Sequence, residues 1–300
     1  MARFLLVFVD GVGLAPASPD NPLAVEPMPA LAGRIGGPLT AERVGTGGGW
    51  CLAALDATLG VPGLPQSATG QTALFTGTNA PALLGRHVPA LPGPRLAALL
   101  GEHSLLRRAA RSGRRVTFAN PFSARYFEEV AARRRRHAAT TLAALAAETP
   151  LRDLDDLARG GAVAWDVTRS SFREHAPETE PIAAAEAGGH LGVLAAEHDL
   201  TLWETFMTDL AGHRRRGWTA AEALARLDGL LAGLFESQPA DLTVLVVSDH
   251  GNLEEAEHTR HTLNPVPLLA VGPDAAAFAA LARIDEVAPR LLERLGVAPD

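Results

Sequence analysis

The sequence predicts an α/β fold, a mainly parallel sheet with helices on both faces in three layers, carrying a small, mostly helical insertion. Three observations carry that expectation. Phe4–Val9 and Leu242–Val247 are short, continuous apolar runs of β-formers, as expected of strands buried on both faces. Helical spacings alternate with such runs along the chain. Residues 121–200 change character, becoming Ala- and charge-rich and mostly helical. The chain has 300 residues, enough for one large domain bearing a small inserted one. The expected division is a core of residues 1–120 and 200–300 with a cap over 121–200.

The elements follow in order. Phe4–Val9 is a strand that ends in Asp10-Gly11-Val12-Gly13, placing an acid at its tip. Residues 17–66 are rich in Pro and Gly and read as loops with short elements. Ser67–Leu74 opens a helix. Arg95–Ser112 has helical spacing, stops at Gly113 and leads into a strand at Val116–Ala119. Within the insertion, Ala162–Trp165 is strand-like, and Arg133–Arg136 reads as a solvated helix face. Leu200–Thr208 leads to Asp209, and Thr219–Phe235 is a helix. Leu242–Val247 ends in Ser248-Asp249-His250-Gly251. Val266–Val271 is a further strand, and Ile284–Leu295 is an amphipathic closing helix.

Composition narrows the function. With 47% hydrophobic and 20% charged residues, the chain is that of a soluble globular protein. A formal net charge of −7 argues against a nucleic-acid partner, whose footprint is basic. All 27 basic residues are arginine, which excludes a lysine base or Schiff base. The single cysteine, Cys51, excludes a disulfide framework and a cysteine-based zinc site. The apolar runs fall far short of the ~20 residues of a membrane span. The N-terminal run is too short for a signal peptide and ends at Asp10, so a cytoplasmic protein is expected.

In open α/β sheets, ligands bind beyond the carboxyl ends of the strands. Asp10, Asp209 and Asp249 all sit at such ends. Any one of them reads as a cap or turn former. Three, each near a glycine and two beside a histidine, exceed what capping needs. Asp209 and His213 are four residues apart, so on a helical turn both face one ion. Asp249 and His250 are adjacent and point in different directions, which suits two neighbouring metals, or one metal and a supporting contact. His258 and His261 add two imidazoles in the loop before Val266. Carboxylate and neutral imidazole suit zinc or manganese, with magnesium a further candidate. Ser67 and Thr69 supply hydroxyls at a helix N-terminus, where phosphate-like anions are favoured. The plain reading of Ser67 is a helix cap; the functional one is a nucleophile activated by a metal.

Taken in order, these pieces resemble the alkaline phosphatase superfamily, and within it the cofactor-independent phosphoglycerate mutases and phosphopentomutase-like proteins. The residues that carry the resemblance are Phe8-Val9-Asp10-Gly11-Val12-Gly13, Gln66-Ser67-Ala68-Thr69-Gly70 with Thr76-Gly77, Asp209-Leu-Ala-Gly-His213, Ser248-Asp249-His250-Gly251-Asn252, and Arg260-His261-Thr262-Leu263-Asn264-Pro265. The Asp285–Leu292 stretch is similar to the family's closing helix.

The resemblance implies an alkaline phosphatase-like core and two divalent metals. One would be held by Asp209, His213 and His261, the other by Asp10, Ser67, Asp249 and His250. Ser67 would form a phosphoserine with a small phosphorylated substrate. Thr69, Asn252 and His258 would stand behind or beside the ligands. The mutases carry an acid after the serine and a His after the glycine, where this chain has Ala68 and Gln71. Their inserted domain is also larger and more basic. A phosphate-ester hydrolase is therefore expected ahead of a mutase, and a non-catalytic metal- or anion-binding relative comes last. Arg125, Arg169 and Arg173 of the insertion are candidate contacts for substrate oxyanions.

Overall fold

The computed structural model describes residues 2–173 and 176–298. One seven-stranded sheet organises them, built from Arg3–Val9 (β1), Gly45–Gly47 (β2), Trp50–Leu55 (β3), Val116–Phe118 (β4), Leu200–Thr205 (β5), Leu242–Val247 (β6) and Val266–Val271 (β7). The spatial order is β2-β3-β7-β6-β1-β5-β4. The central β6, β1, β5 and β4 are parallel, while β7 runs antiparallel to both β6 and β3.

Strand alternation divides the core into two layers. Phe4, Leu6 and Phe8 of β1 face the helices Ser67–Thr76, Pro94–His103, Leu105–Arg111, Ala139–Ala146 and Val287–Arg294. Leu5, Val7 and Val9 face the helices Pro29–Ile35, Ala184–Glu197 and Ala220–Glu236. This is the mixed, mostly parallel α/β/α architecture read from the alternating pattern.

Register explains why the chemistry gathers at one edge. Phe8 pairs with both Glu204 and Val247, so β1, β5 and β6 end side by side. Asp10, Asp249 and the turn that leads to Asp209 therefore emerge together. Because β7 is antiparallel to β6, the loop that enters it arrives at this same edge and brings His261. Because β3 is antiparallel to β7, its end also lies there, with Leu55 opposite Val266, and the chain leaves toward Ser67. Strand direction alone thus assembles residues 10, 67, 209, 249 and 261.

Several local expectations need correction. Ala162–Trp165 is not a strand: Val163 N donates to Ala119 O at 2.8 Å, and no ladder continues from it. The helix expected over Arg95–Ser112 is two helices, broken at Ser104, whose backbone is extended. The Pro- and Gly-rich stretch 17–66 conceals β3. Trp-Cys-Leu-Ala-Ala-Leu has no β-branched residue, and its burial comes from pairing with β7. The helices Ala139–Ala146 and Ala184–Glu197 contribute buried residues to the two core layers. No helix among the described residues is long and apolar enough to cross a membrane.

Candidate metal centre

The first cluster is built on a short helix and a loop. Asp209 lies in the helix Met207–Gly212, and His213 follows at its C-cap. Asp209 Oδ1 is 3.3 Å from His213 Nε2 and 3.7 Å from His261 Nε2, and the two Nε2 atoms are 3.2 Å apart. Each imidazole is fixed from behind. His213 Nδ1 lies 2.7 Å from Thr259 O, and His261 Nδ1 lies 2.8 Å from Pro65 O. A carbonyl only accepts, so both protons belong on Nδ1 and both Nε2 lone pairs point at one spot. That is how a protein presents imidazole to a cation.

The second cluster is Asp10, Asp249 and His250, whose ligand atoms lie within 4.8 Å of one another. His250 also falls within that distance of Asp209 and His261, and its ring stacks on His261 with centroids 3.7 Å apart. The two clusters therefore share a wall. Asp249 and His250 are both 0% exposed. Both carboxylate oxygens of Asp249 and Oδ1 of Asp10 are buried without a hydrogen-bond partner, although Asp10 Oδ1 is 3.2 Å from His250 Nε2.

Electrostatics makes the same demand. Burial, then the Asp10 carboxylate, pushes Asp249 well above the usual carboxylate range, and the same two causes raise Asp209. Burial alone would lower His250, but Asp249, Asp10 and Asp209 outweigh it and carry it to about 10. Burial and the neighbouring His250 bring His261 down to about 4. Three acids crowded with so little compensation fit divalent cations, and the orphaned Asp249 oxygens are the strongest sign of it.

Ser67 opens the ten-residue helix Ser67–Thr76, and its Oγ lies 3.0 Å from His250 Nε2. Gly70, one turn further on, has no room for a side chain: a Cβ there would lie 2.8 Å from Asp249 O. The helix start is thereby pressed against the second cluster.

Comparison with known proteins fits this geometry. The Metalloenzyme superfamily model matches residues 188–299, which hold Asp209, His213, Asp249, His250 and His261. The 2,3-bisphosphoglycerate-independent phosphoglycerate mutase of Thiobacillus denitrificans is 34% identical over 109 residues, 34% of this chain and 21% of that protein. The same-named protein of Cereibacter sphaeroides is 32% identical over 125 residues, 39% of this chain and 25% of that protein. The match thus spans about a quarter or less of these curated relatives. Alkaline phosphatase from the Antarctic bacterium TAB5 superposes with a TM-score of 0.56 at 13% identity, covering 99% of this chain and 98% of that one. A Pyrococcus horikoshii protein gives 0.57 at 13% identity, covering 100% and 98%.

The chain has an alkaline phosphatase-like fold, and its residues 188–299 match the Metalloenzyme superfamily model. Its similarity to the phosphoglycerate mutases is confined to part of the chain.

The residues around the two clusters fall into distinct places. Asn252 is fully buried and donates from Nδ2 to Asp209 Oδ1 at 2.9 Å, so it orients a carboxylate. Thr69 does not reach the clusters. Its Oγ1 donates to Gln66 O and accepts from Val88 N, both at 3.1 Å, which secures the helix start. His258 pairs with Glu255 at 2.8 Å and belongs to neither cluster. Of the three arginines, Arg125 lines the cleft and pairs with Glu129, while Arg169 is buried, and neither it nor Arg173 lines the cleft.

The sequence reading missed Glu254. This buried carboxylate accepts from Gly13 N and Asn252 N at 2.8 Å each, from Asn264 Nδ2 at 3.1 Å, and from the Thr262 hydroxyl. It clasps the three loops that carry Asp10, Asp249 and His261. Its position five residues after Asp249 was the available signal. Gln71, which stands where the mutases carry a His, donates from Nε2 to Asp10 Oδ2 at 3.3 Å.

Proposed function

We propose that this chain is a two-metal phosphohydrolase of small phosphate esters, working through a phosphoserine at Ser67. The observation that carries the reading is the position of Ser67 Oγ, 3.0 Å from His250 Nε2 and at the wall shared by both clusters. Asp209, His213 and His261 would hold one divalent ion; Asp10, Asp249, His250 and Ser67 would hold the other, with manganese or zinc preferred over magnesium. When bound, such ions supply charge that stabilises phosphoryl oxygens and lowers the serine pKa.

The protein's own part is positional. The helix that starts at Ser67 directs its N-terminal N–H groups and its dipole toward an incoming phosphate. Ser67 Oγ attacks phosphorus and gives up its proton, and the bond to the leaving oxygen breaks, that oxygen taking a proton. Water then attacks the phosphoserine, releasing phosphate and restoring the hydroxyl. Net, one ester and one water give one alcohol and one phosphate. Asn252 keeps the Asp209 carboxylate turned to its partners, and Gln71 does the same for Asp10. The parts of 121–200 outside the core helices, which line the cleft with Phe122, Tyr126 and Trp165, would act as a lid over the strand ends.

A phosphomutase is the second reading, favoured by the names of the matched relatives. A mutase must hold its dephosphorylated intermediate and exclude water. Ala68 and Gln71 stand where mutases have an acid and a His, which favours water as acceptor. The test follows phosphate release and 2-/3-phosphoglycerate interconversion together, using protein loaded with Mn, Zn or Mg and a panel of phosphomonoesters, phosphodiesters and sulfate esters. Phosphate release from small monoesters is expected. Isomerisation faster than phosphate release would promote the mutase.

A further inference from the structure

We infer that the cleft beside the metal centre is built for a phosphate ester whose leaving group carries a planar ring, as a nucleoside monophosphate does. The inference rests on the phosphoester reading above and adds a substrate class to it. The cleft that contains Asp10, Ser67 and Asp209 measures about 1130 Å³. That exceeds the roughly 300–1,000 Å³ of ordinary small-molecule sites and is far more than a three-carbon phosphate needs.

Its wall next to the metal ligands is aromatic. Phe206 stands three residues before Asp209, at the start of the same short helix. Trp165 stacks on it with centroids 4.1 Å apart and planes 14° apart, and Trp218 packs on Trp165 at 6.0 Å. All three are half-buried and line the cleft. Such a shelf, one turn from Asp209, offers aromatic surface to a flat ring attached to the reacting phosphate.

Of the five arginines that line the cleft, Arg125, Arg135 and Arg226 are held by its own acids. Arg125 and Arg135 both pair with Glu129. Arg226 is tied to Glu222 Oε1 and Thr168 Oγ1 at 2.6 Å each and to Asp166 O at 3.0 Å, and its guanidinium lies 4.8 Å over Trp218. It braces the shelf rather than reaching for an anion.

The experiment compares adenosine 5′-monophosphate with ribose 5-phosphate, which share the phosphoester bond and primary alcohol and differ by the base. Binding to the metal-loaded chain is measured by calorimetry, and phosphate release is measured in parallel. The nucleotide should bind about tenfold or more tightly, the scale of one base–aromatic stack. Trp218→Ala should bring that ratio to within about twofold, and Trp218→Phe should keep most of it. Trp218→Leu, which retains apolar bulk without a π-face, serves if the alanine variant is unfolded by circular dichroism. A ratio near one in the native chain, no binding of either ligand, or a ratio unchanged in a folded Trp218→Ala or Trp218→Leu chain overturns the inference. Tight, Trp218-dependent nucleotide binding without phosphate release leaves the shelf standing and removes the hydrolase. Equal turnover with equal binding does the reverse.

Discussion

His213 and His261 face each other through Nε2 atoms 3.2 Å apart, each anchored behind by a backbone carbonyl. Two bare lone pairs at that distance repel until a cation or proton lies between them. The protein has arranged the repulsion, together with Asp209, before any ligand arrives. Such an arrangement would hold these side chains ready for a cation, and the binding energy of the ion would become folding energy.

Metal content checks this directly. Chelated protein reloaded with manganese or zinc should take up two equivalents. Saturation at 100 times Kd should stabilise the fold by about 2.7 kcal/mol for each site. Asp249→Ala should cost one equivalent, because it removes the charge that the buried second cluster offers an ion. Elemental analysis showing two equivalents in Asp249→Ala would sink the assignment.

Ser67→Ala should reduce phosphate release by at least about a thousandfold, since no other nucleophile is placed to replace it. Metal content should stay near two equivalents, because Asp10, Asp249 and His250 remain. Quenched turnover followed by peptide mass spectrometry should find the phosphoryl group on Ser67. Finding it on Thr69 would contradict the geometry, in which the Thr69 hydroxyl is occupied by Gln66 O and Val88 N.

The convergence of the candidate side chains was legible because each follows an apolar run or sits in a short motif, and parallel strands must deliver their tips to one edge. Asp10, Asp209 and Asp249 needed nothing further. His261 was harder: its arrival depends on β7 running antiparallel to β6, and no local pattern announces strand direction. Glu254 was illegible for a related reason. A carboxylate in a polar loop looks solvated until the Gly13 turn and the Thr262–Asn264 segment close over it. Trp165, Phe206 and Trp218 lie far apart in sequence, so only the folded chain brings them together. The segment 121–200 was read as one cap because its composition is uniform. Composition does not show that Ala139–Ala146 and Ala184–Glu197 bury their small faces against the sheet layers.

Glu204 supplies a pH-dependent test of the cleft. Burial chiefly, with the Asp10 charge, pushes its carboxyl up to about 7, while the Thr140 hydroxyl donates to Oε2 at 2.7 Å and opposes the rise. An acid with a raised folded pKa contributes stability that is present below its unfolded pKa of about 4.5 and lost as pH rises through about 7. Glutamine at this position cannot ionise and keeps an oxygen for Thr140. In chelator, Glu204→Gln should match the native chain at pH 4.5 and exceed its stability at pH 8. The gap should be about 1–2 kcal/mol once water in the cleft is allowed for. Urea titrations at both pH values read it. A gap of equal size at both would mean that Glu204 does not titrate as its burial requires.

Gly11 separates backbone strain from crowding at the metal centre. Its φ is +73°, and a Cβ there would lie 2.8 Å from both Cβ and Oδ1 of Asp209. Gly85 has nearly the same backbone, φ +70°, with nothing within 4 Å. Alanine at either position pays the left-handed penalty of about 1–2 kcal/mol. Only at Gly11 must a ligand carboxylate also move, and a displacement of a few tenths of an ångström at a metal ligand weakens binding steeply. Gly85→Ala should therefore lose about 1 kcal/mol in urea titration and keep native metal affinity. Gly11→Ala should lose more and bind the metal held by Asp209, His213 and His261 at least about tenfold more weakly. Competition against a chromogenic chelator measures the difference. Equal metal affinity in the two variants would show that Asp209 tolerates the intrusion and is not held where the ion needs it.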